Sequence, residues 1–435
     1  MRTLIFNANI VTGDGETILE NHSLAIEGEL ITGIINIPYP NYDVADHMIN
    51  AKGDFIIPGI INHHAHSVTI GPTSAGEAEP PLPKSRVRWE LNQHLSEGST
   101  TIVNMDGFTT MEEVGETRAL TPMLVQTMST HTPLHLEYAR WLNRGGMREK
   151  HWLTTEDMIK QGALGIGEVG GLLDISYIPV EVQNKTGVQI SLEEAAVLWE
   201  ALMAQPSDEK TALDLMMKRG ISSAMEGVKE LVGQSGQRMK LAVEACCEAA
   251  RVAGELGVPL AMHNIPSTKN QILDYVRDLK GLLIACHSNY AYKPQEAVEA
   301  ARAVKKAGGW VDVHTGDFFR ARQFFRNHAT TLALLDEGLV DMISTDYIGG
   351  YWDSIPRVLE YAVDQKVINL TQAIALATGN VTRAIPNVAP NRGQIIEGKI
   401  ADLTVLNKGR ISDVRTVLIS GKVVVDEGRI VPPRT

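Results

Sequence analysis

The chain has 435 residues, enough for two to three ordinary domains or one barrel with an accessory unit, and its 44% hydrophobic and 21% charged residues exclude wholesale disorder and collagen-like repeats. Lys and Arg number 40 against 52 Asp and Glu, a net charge of −12 whose field repels nucleic acid and anionic membranes. Cys246, Cys247 and Cys286 form neither a disulfide framework nor a zinc-finger pattern, no run approaches the roughly 20 apolar residues of a membrane helix, and MRTLIFNANIVTGDGE breaks its apolar run too early for a signal peptide. A soluble protein of the reducing cytoplasm is expected, with a homo-oligomer as its assembly.

From the N-terminus, TLIFNANIVTG, SLAIEGELITGII and HMINAKGDFIIPG alternate β-rich runs with turn residues, and the last fifty residues repeat this texture in DLTVLNKG, VRTVLISGKVVVDEG and RIVPP. The two ends, residues 1–53 and 387–435, are expected to fold together as one β-sandwich. Residues 54–386 read differently, as short apolar runs separated by amphipathic helical stretches, the pattern of βα units around a buried parallel sheet. The runs are FIIPGIIN, TTIVNMD, MLVQTMST, LGIGEVGG, VPLAMHN, LLIACHSN, WVDVHTG and VDMISTDY, and eight is the number that closes a (β/α)8 TIM barrel. Between the fourth and fifth runs the connection, residues 172–255, is too long for a loop and is expected to hold an inserted helical segment or lid, its Met and Trp residues serving as core.

Several runs end on a group that binds metal or takes a proton: His64 and His66, Asp106, Glu168, His263, His287, His314 and Asp346. Residues i and i+2 of a strand face one side, so His64 and His66 can converge on one cation, whereas a helix would splay them. His-Ala-His alone is a weak signal that two loop histidines explain equally well. Strand-end ligands on a barrel rim are brought together from distant sequence, and it is the whole set that points to Zn, Fe or Mn. His63, adjacent to His64, is expected on the opposite strand face with a structural role.

PGIINHHAH, the turn Gly98-Ser99-Thr100-Thr101, the strand-end histidines, STDY and the tail GNVTRAI…NRGQIIEGKIADLTVL together resemble the metal-dependent amidohydrolase superfamily over nearly the whole chain. Within it, GEVGG and ATGN resemble enamidase, whereas GALGIG, SYIP and PRVLEYAV resemble the N-acyl-D-amino-acid deacylases, and the two branches stay open. The resemblance implies one or two divalent ions, zinc foremost. His64, His66 and Asp346 would hold one ion, His263 and His287 the other. Glu168 would bridge them in place of a carboxylated lysine, since no lysine lies between Lys160 and Lys185. It also implies hydrolysis of a small-molecule C–N amide bond by activated water, with Asp346 as proton shuttle. Asn62 stands where the family often has Asp, which removes a carboxylate that could orient a ligand.

Four residues are further candidates to touch substrate: His131 after the third run, Tyr290 after the sixth, His314 at the end of the seventh, and Arg320, which with Asp317 and Arg322 follows in the same loop and could grip a carboxylate. Tyr292, Tyr347 and Trp352 could be substrate wall or loop anchor. Rival readings are a deaminase, for which MHNIPSTKN lacks the expected Glu two residues after the His, a phosphoester or phosphonate hydrolase, for which the chain offers few basic residues, and a scaffold relative without metal, which the full ligand set disfavours.

Overall fold

The structure, a computed structural model, describes residues 1–38, 45–174, 177–203, 208–221, 226–316, 318–319, 327–347 and 352–431. It opens with β1 (Arg2–Val11), β2 (Ile18–Glu27), β3 (Leu30–Ile35), β4 (His47–Asn50) and β5 (Phe55–Pro58) and closes with β14 (Leu403–Asn407), β15 (Arg410–Ile419), β16 (Lys422–Asp426) and β17 (Arg429–Ile430). These strands form one nine-stranded mixed sheet in which β5 pairs antiparallel with β14, so the two chain ends are hydrogen-bonded to each other. β1 lies between β2 and β5 and is buried along nearly its whole length, which explains why RTLIFNANIV carries apolar residues on both faces. Ile5, Ile10, Leu24, Ile56, Leu403 and Leu418 make this region's own core.

The run FIIPGIIN, expected to be a single barrel strand, is two. Phe55–Pro58 belongs to the end sheet, and Gly59 separates it from β6 (Ile60–Ala65). A side chain at Gly59 would lie 2.2 Å from Thr100 Oγ1, so the chain turns here against the second strand only because no Cβ is present.

From β6 onward parallel strands alternate with helices: α1 (Lys84–Ser96), β7 (Ser99–Asn104), α2 (Met111–Arg118), β8 (Leu124–Thr127), α3 (Pro133–Leu142), α4 (Thr155–Gln161) and β9 (Ile166–Val169). After an insertion come β10 (Leu260–His263), α9 (Lys269–Asp278), β11 (Leu283–Cys286), α10 (Pro294–Lys306), β12 (Trp310–His314), α11 (Asn327–Asp336), β13 (Met342–Ser344) and three helices, α12 (Ile355–Asp364), α13 (Leu370–Leu376) and α14 (Gly379–Ala384). β6-β7-β8 and β9-β10-β11-β12-β13 are parallel sheets of three and five strands. Their edges touch twice, through a bridge between Ala65 and Tyr347 and another between Ser129 and Ile166.

Side chains alternate between two apolar layers, as the pleat requires. In β11, Leu283 and Ala285 join the large cluster shared with the helices, whereas Ile284 and Cys286 join an inner cluster with Ile61, Val103, Met128 and Ala261. The helices present the matching stripe: α12 buries Ile355, Val358, Leu359 and Ala362, at i, i+3, i+4 and i+7.

Between β9 and β10 lie α5 (Tyr177–Thr186), α6 (Leu192–Met203), α7 (Glu209–Lys218) and the 31-residue α8 (Glu226–Leu256), so the long connection is helical, as expected. Leu198, Leu202, Ala212 and Met216 form a separate core there, while Cys246, Ala249 and Ala253 late in α8 pack into the main one. Among the described residues no helix is long and apolar enough to cross a membrane.

Candidate metal centre

The parallel strands deliver their terminal side chains to one face. His64 and His66 leave β6, Glu168 lies in β9, His263 ends β10, His287 follows β11 and Asp346 follows β13. All except His263 are buried. His64 Nε2 and His66 Nε2 are 3.2 Å apart, and Asp346 Oδ1 lies 3.6 and 3.4 Å from them. Glu168 reaches both halves of the group: its Oε2 is 3.4 Å from His64 Nε2, and its Oε1 is 2.9 Å from His263 Nδ1 and 2.6 Å from His287 Nε2. Two overlapping trios, His64–His66–Asp346 and His64–Glu168–His287, have donor atoms close enough to share one ion each.

The donor set fits divalent metal. Imidazole nitrogens facing each other at 3.2 Å in a dry pocket repel unless a proton or cation lies among them, and imidazole with carboxylate is the ligand chemistry of Zn, Fe and Mn. Two of these positions are conformationally costly: His287 and Asp346 adopt φ of 35° and 45°, a left-handed conformation that non-glycine residues rarely take. Each is held by a backbone hydrogen bond, His287 N–H donating to Asp312 Oδ2 at 3.0 Å and Asp346 N–H to the His64 carbonyl at 3.0 Å.

Burial is the strongest influence on every titrating group of the cluster, and it disfavours charge. For Glu168 it is outweighed by the attraction of His263, His64 and His287, which together hold the carboxyl well below its usual range. Asp346 is likewise held well below, against burial, by hydrogen bonds from His314 and His66 and by the charges of His287 and His64. Among the imidazoles, burial is overcome for His66 by Asp106 and Asp346, for His64 by Glu168, and for His263, which is raised to about 10, by Glu168 and Asp174. His287 goes the other way: burial and the neighbouring His263 push it below the usual imidazole value, against the pull of Glu168 and Asp346. A set of carboxylates forced ionised beside crowded imidazoles is poised to exchange protons for a cation.

Around this cluster the structure adds contacts that the residue pattern did not disclose. Asp106 accepts from His66 Nδ1 at 3.1 Å and from Ser67 N–H at 2.8 Å, so the orienting carboxylate that Asn62 fails to supply comes from the next strand instead. Asn62 ties β6 to the last strand through Thr345, donating to its Oγ1 at 2.8 Å. His63 does not take the strand face opposite His64 that its position predicts. The β6–β7 register shifts between Asn62 and Ala65, and His63 sits inside, its Nε2 3.0 Å from the fully buried Asp312 Oδ1. Asp312 thus joins His63 to the backbone of His287, a role that could have been suspected only from the odd Asp inside the apolar run WVDVHTG.

His314 lies in the group, its Nδ1 3.1 Å from Asp346 Oδ2. Tyr290 covers it, its ring centroid 5.8, 5.6 and 5.9 Å from those of His263, His287 and His314. His131 is buried with its Nδ1 2.8 Å from Ser129 Oγ and its ring edge-on to Phe108, and burial holds it down at about 4. Arg320, Asp317 and Arg322 lie outside the described residues. Tyr347 and Trp352 pack with His94 of α1, and Tyr292 donates to Asn264.

No protein-family profile matches the chain. Its fold is similar to that of a β-aspartyl dipeptidase from Fervidobacterium islandicum AW-1 solved with a β-Asp-Leu dipeptide, at 15% identity over 99% of this chain and 98% of that one, with a TM-score of 0.59. A D-hydantoinase matches at 17% identity, TM-score 0.55, over 100% and 97% of the two chains. The dihydropyrimidinase of Brevibacillus agri NCHU1002 matches at 14%, TM-score 0.54, over 99% and 96%. Among curated proteins, a 5-methylthioadenosine/S-adenosylhomocysteine deaminase of Bacillus cereus (strain B4264) is 32% identical over 69 residues, 16% of this chain and 16% of its own length. The chain thus shares its fold with these dipeptidase, hydantoinase and dihydropyrimidinase structures.

Proposed function

We propose that the protein is a metal-dependent amidohydrolase that cleaves a C–N amide bond of a small molecule, a cyclic amide or an N-acyl amino acid, on a closed (β/α)8 barrel whose companion domain is a β-sandwich of the two chain ends, residues 1–53 and 387–435 extended by Phe55–Pro58. The observation that carries this reading is the convergence of His64, His66, Glu168, His263, His287 and Asp346, six residues from five strands, into one buried cluster. The bridges at both edges of the two parallel sheets support closure, and the hydrolase neighbours support amide chemistry.

One or two divalent ions, zinc foremost, would be held by these residues and would supply Lewis acidity and an acidified water. Asp346 is the proton carrier: one oxygen faces His64 and His66, and the other is fixed 3.1 Å from His314 Nδ1, so it can take a proton from water and return it to the leaving nitrogen. Glu168, shared by His64, His263 and His287, spaces the two halves of the site. Tyr290, His314 and His131 are proposed to line the substrate space.

Turnover of the zinc-reconstituted protein on hydantoins, dihydropyrimidines, β-aspartyl dipeptides and N-acyl amino acids tests the reading. Hydrolysis of one class that is abolished by chelation and restored by zinc is expected, and a protein that takes up no metal overturns it. The short match to a deaminase favours a second reading, release of ammonia from an amino-substituted ring. Ammonia formed without amide cleavage would select it.

A further inference from the structure

The residues that follow Glu168 run directly into the helical insertion, and their path is tightly determined. Gly170, at φ 93°, lies where a Cβ would sit 3.3 Å from His263 Cβ, so the chain can pass His263 this closely only with glycine. A single helical turn follows, closed by Asp174 N–H donating to the Gly171 carbonyl at 3.1 Å, and Ser267 Oγ donates to the Leu173 carbonyl at 2.7 Å. Leu173 is buried in the main core. These contacts place Asp174, 5% exposed, with its Oδ2 3.7 Å from His263 Nε2 and accepting from Tyr290 Oη at 2.9 Å.

The cluster therefore has two histidine–carboxylate pairs of opposite sense. His66 turns its Nδ1 to Asp106 and its Nε2 to the centre, whereas His263 turns its Nε2 to Asp174 and its Nδ1 to Glu168. A carboxylate on one ring nitrogen keeps the proton there and leaves the other nitrogen's lone pair for a ligand, which orients the ring and raises its basicity. Asp174 stands at the root of the insertion, and Tyr290 comes from the loop after β11, so the pair joins two loops to one imidazole.

Building on the metal-hydrolase reading, we propose that Asp174, held by Tyr290, is the positioning residue that sets His263 for the second ion, while Asp106 does the same for His66 and the first, so that the helical insertion is tied to occupancy of one metal position and not the other. Asp174 belongs to neither trio of convergent donor atoms, and its Oδ2 faces the ring nitrogen of His263 that points away from Glu168.

The test is a titration of chelator-stripped protein with Zn²⁺ against a chromophoric competitor, counting ions and their separate affinities. Wild type is expected to bind two. Asp174→Asn should weaken one of them by roughly 10–100-fold and leave the other unchanged, Asp106→Asn should weaken the opposite one, and Tyr290→Phe should produce a smaller loss on the ion affected by Asp174→Asn. Two ions bound with wild-type affinities by Asp174→Asn overturn the inference and leave the hydrolase reading standing. Equal weakening of both ions overturns the selectivity claimed, and a wild type holding only one overturns the two-position scheme. A wild type that binds none overturns the hydrolase reading itself. Should Asp174→Asn fail to give a native circular dichroism spectrum and melt, Tyr290→Phe decides, since it removes only the hydroxyl that holds the carboxylate.

Discussion

Two regions enclose carboxyl groups and treat them in opposite ways. At the strand ends Glu168 and Asp346 are held well below the usual range, whereas at the end of α1 Glu97 is pushed up to about 7. Burial is the leading influence in both places and favours the neutral acid in both. What differs is company. Five imidazoles, those of His64, His66, His263, His287 and His314, surround the two site carboxylates, but Glu97 has one indole N–H, from Trp352 at 2.6 Å, and the negative Asp353 nearby. The neighbouring His94 is kept neutral by burial and falls to about 3, its ring stacked 4.4 Å from that of Trp352. Buried charge survives in this protein where several partners from different strands converge, and it is neutralised where a single element supplies too few.

The sharpest way to break the contrast is Glu168→Gln, which keeps the shape but removes the charge shared by His64, His263 and His287. The loss in kcat/KM should exceed the upper end, about 10⁴-fold, of what one acid–base group contributes, because ion retention is lost with it; metal analysis and kinetics on one sample check this. Next in size is Asp346→Asn, with kcat down roughly 10²–10⁴-fold in a folded protein. If that variant, fully metal-loaded, turns over near normally, the proton carrier is elsewhere and His314 is the next group to remove. Third, chelation should lower the melting temperature, since an ion present at 100 times its Kd stabilises the folded state by about 2.7 kcal/mol; an unchanged melt in the stripped protein would mean that the centre binds no metal.

The smallest effects belong to the α1 corner. Glu97 ordinarily ionises at 4.5 and in the fold at about 7, so between those values the unfolded chain has lost a proton that the folded chain keeps. Stability therefore falls as pH rises through that window, and Glu97→Gln should remove the slope and gain about 1–3 kcal/mol at pH 8. His94 has the mirror behaviour: ordinarily 6.5 and about 3 in the fold, it costs stability as pH falls below 6.5, and His94→Phe should flatten that limb. Urea midpoints across pH 4–8 measure both, and an unaltered profile in either variant would show that the group titrates normally.

Much of this architecture was legible because local pattern is a direct consequence of the pleat and the helix. Alternating turns and β-branched runs identified the end strands, and apolar runs closing on His, Glu or Asp identified strand ends whose donors do converge. Three features were not legible. Whether FIIPGIIN was one strand or two depended on Thr100 packing at Gly59, a contact between separate runs. The side on which His63 lies depended on a register shift against β7, which no single strand encodes. Asp106, Asp174 and Asp312 acquire their roles from partners 40, 89 and 249 residues away in sequence: His66, His263 and His63.

By itself, then, the sequence determined which side chains could bind a cation and on which elements they ride, since donor type and periodicity are properties of neighbouring residues. Only the tertiary structure decided which nitrogen each histidine offers and which carboxylates stay ionised. Those choices follow from distances of 2.6–3.7 Å between groups on different strands, where Coulomb attraction competes with desolvation.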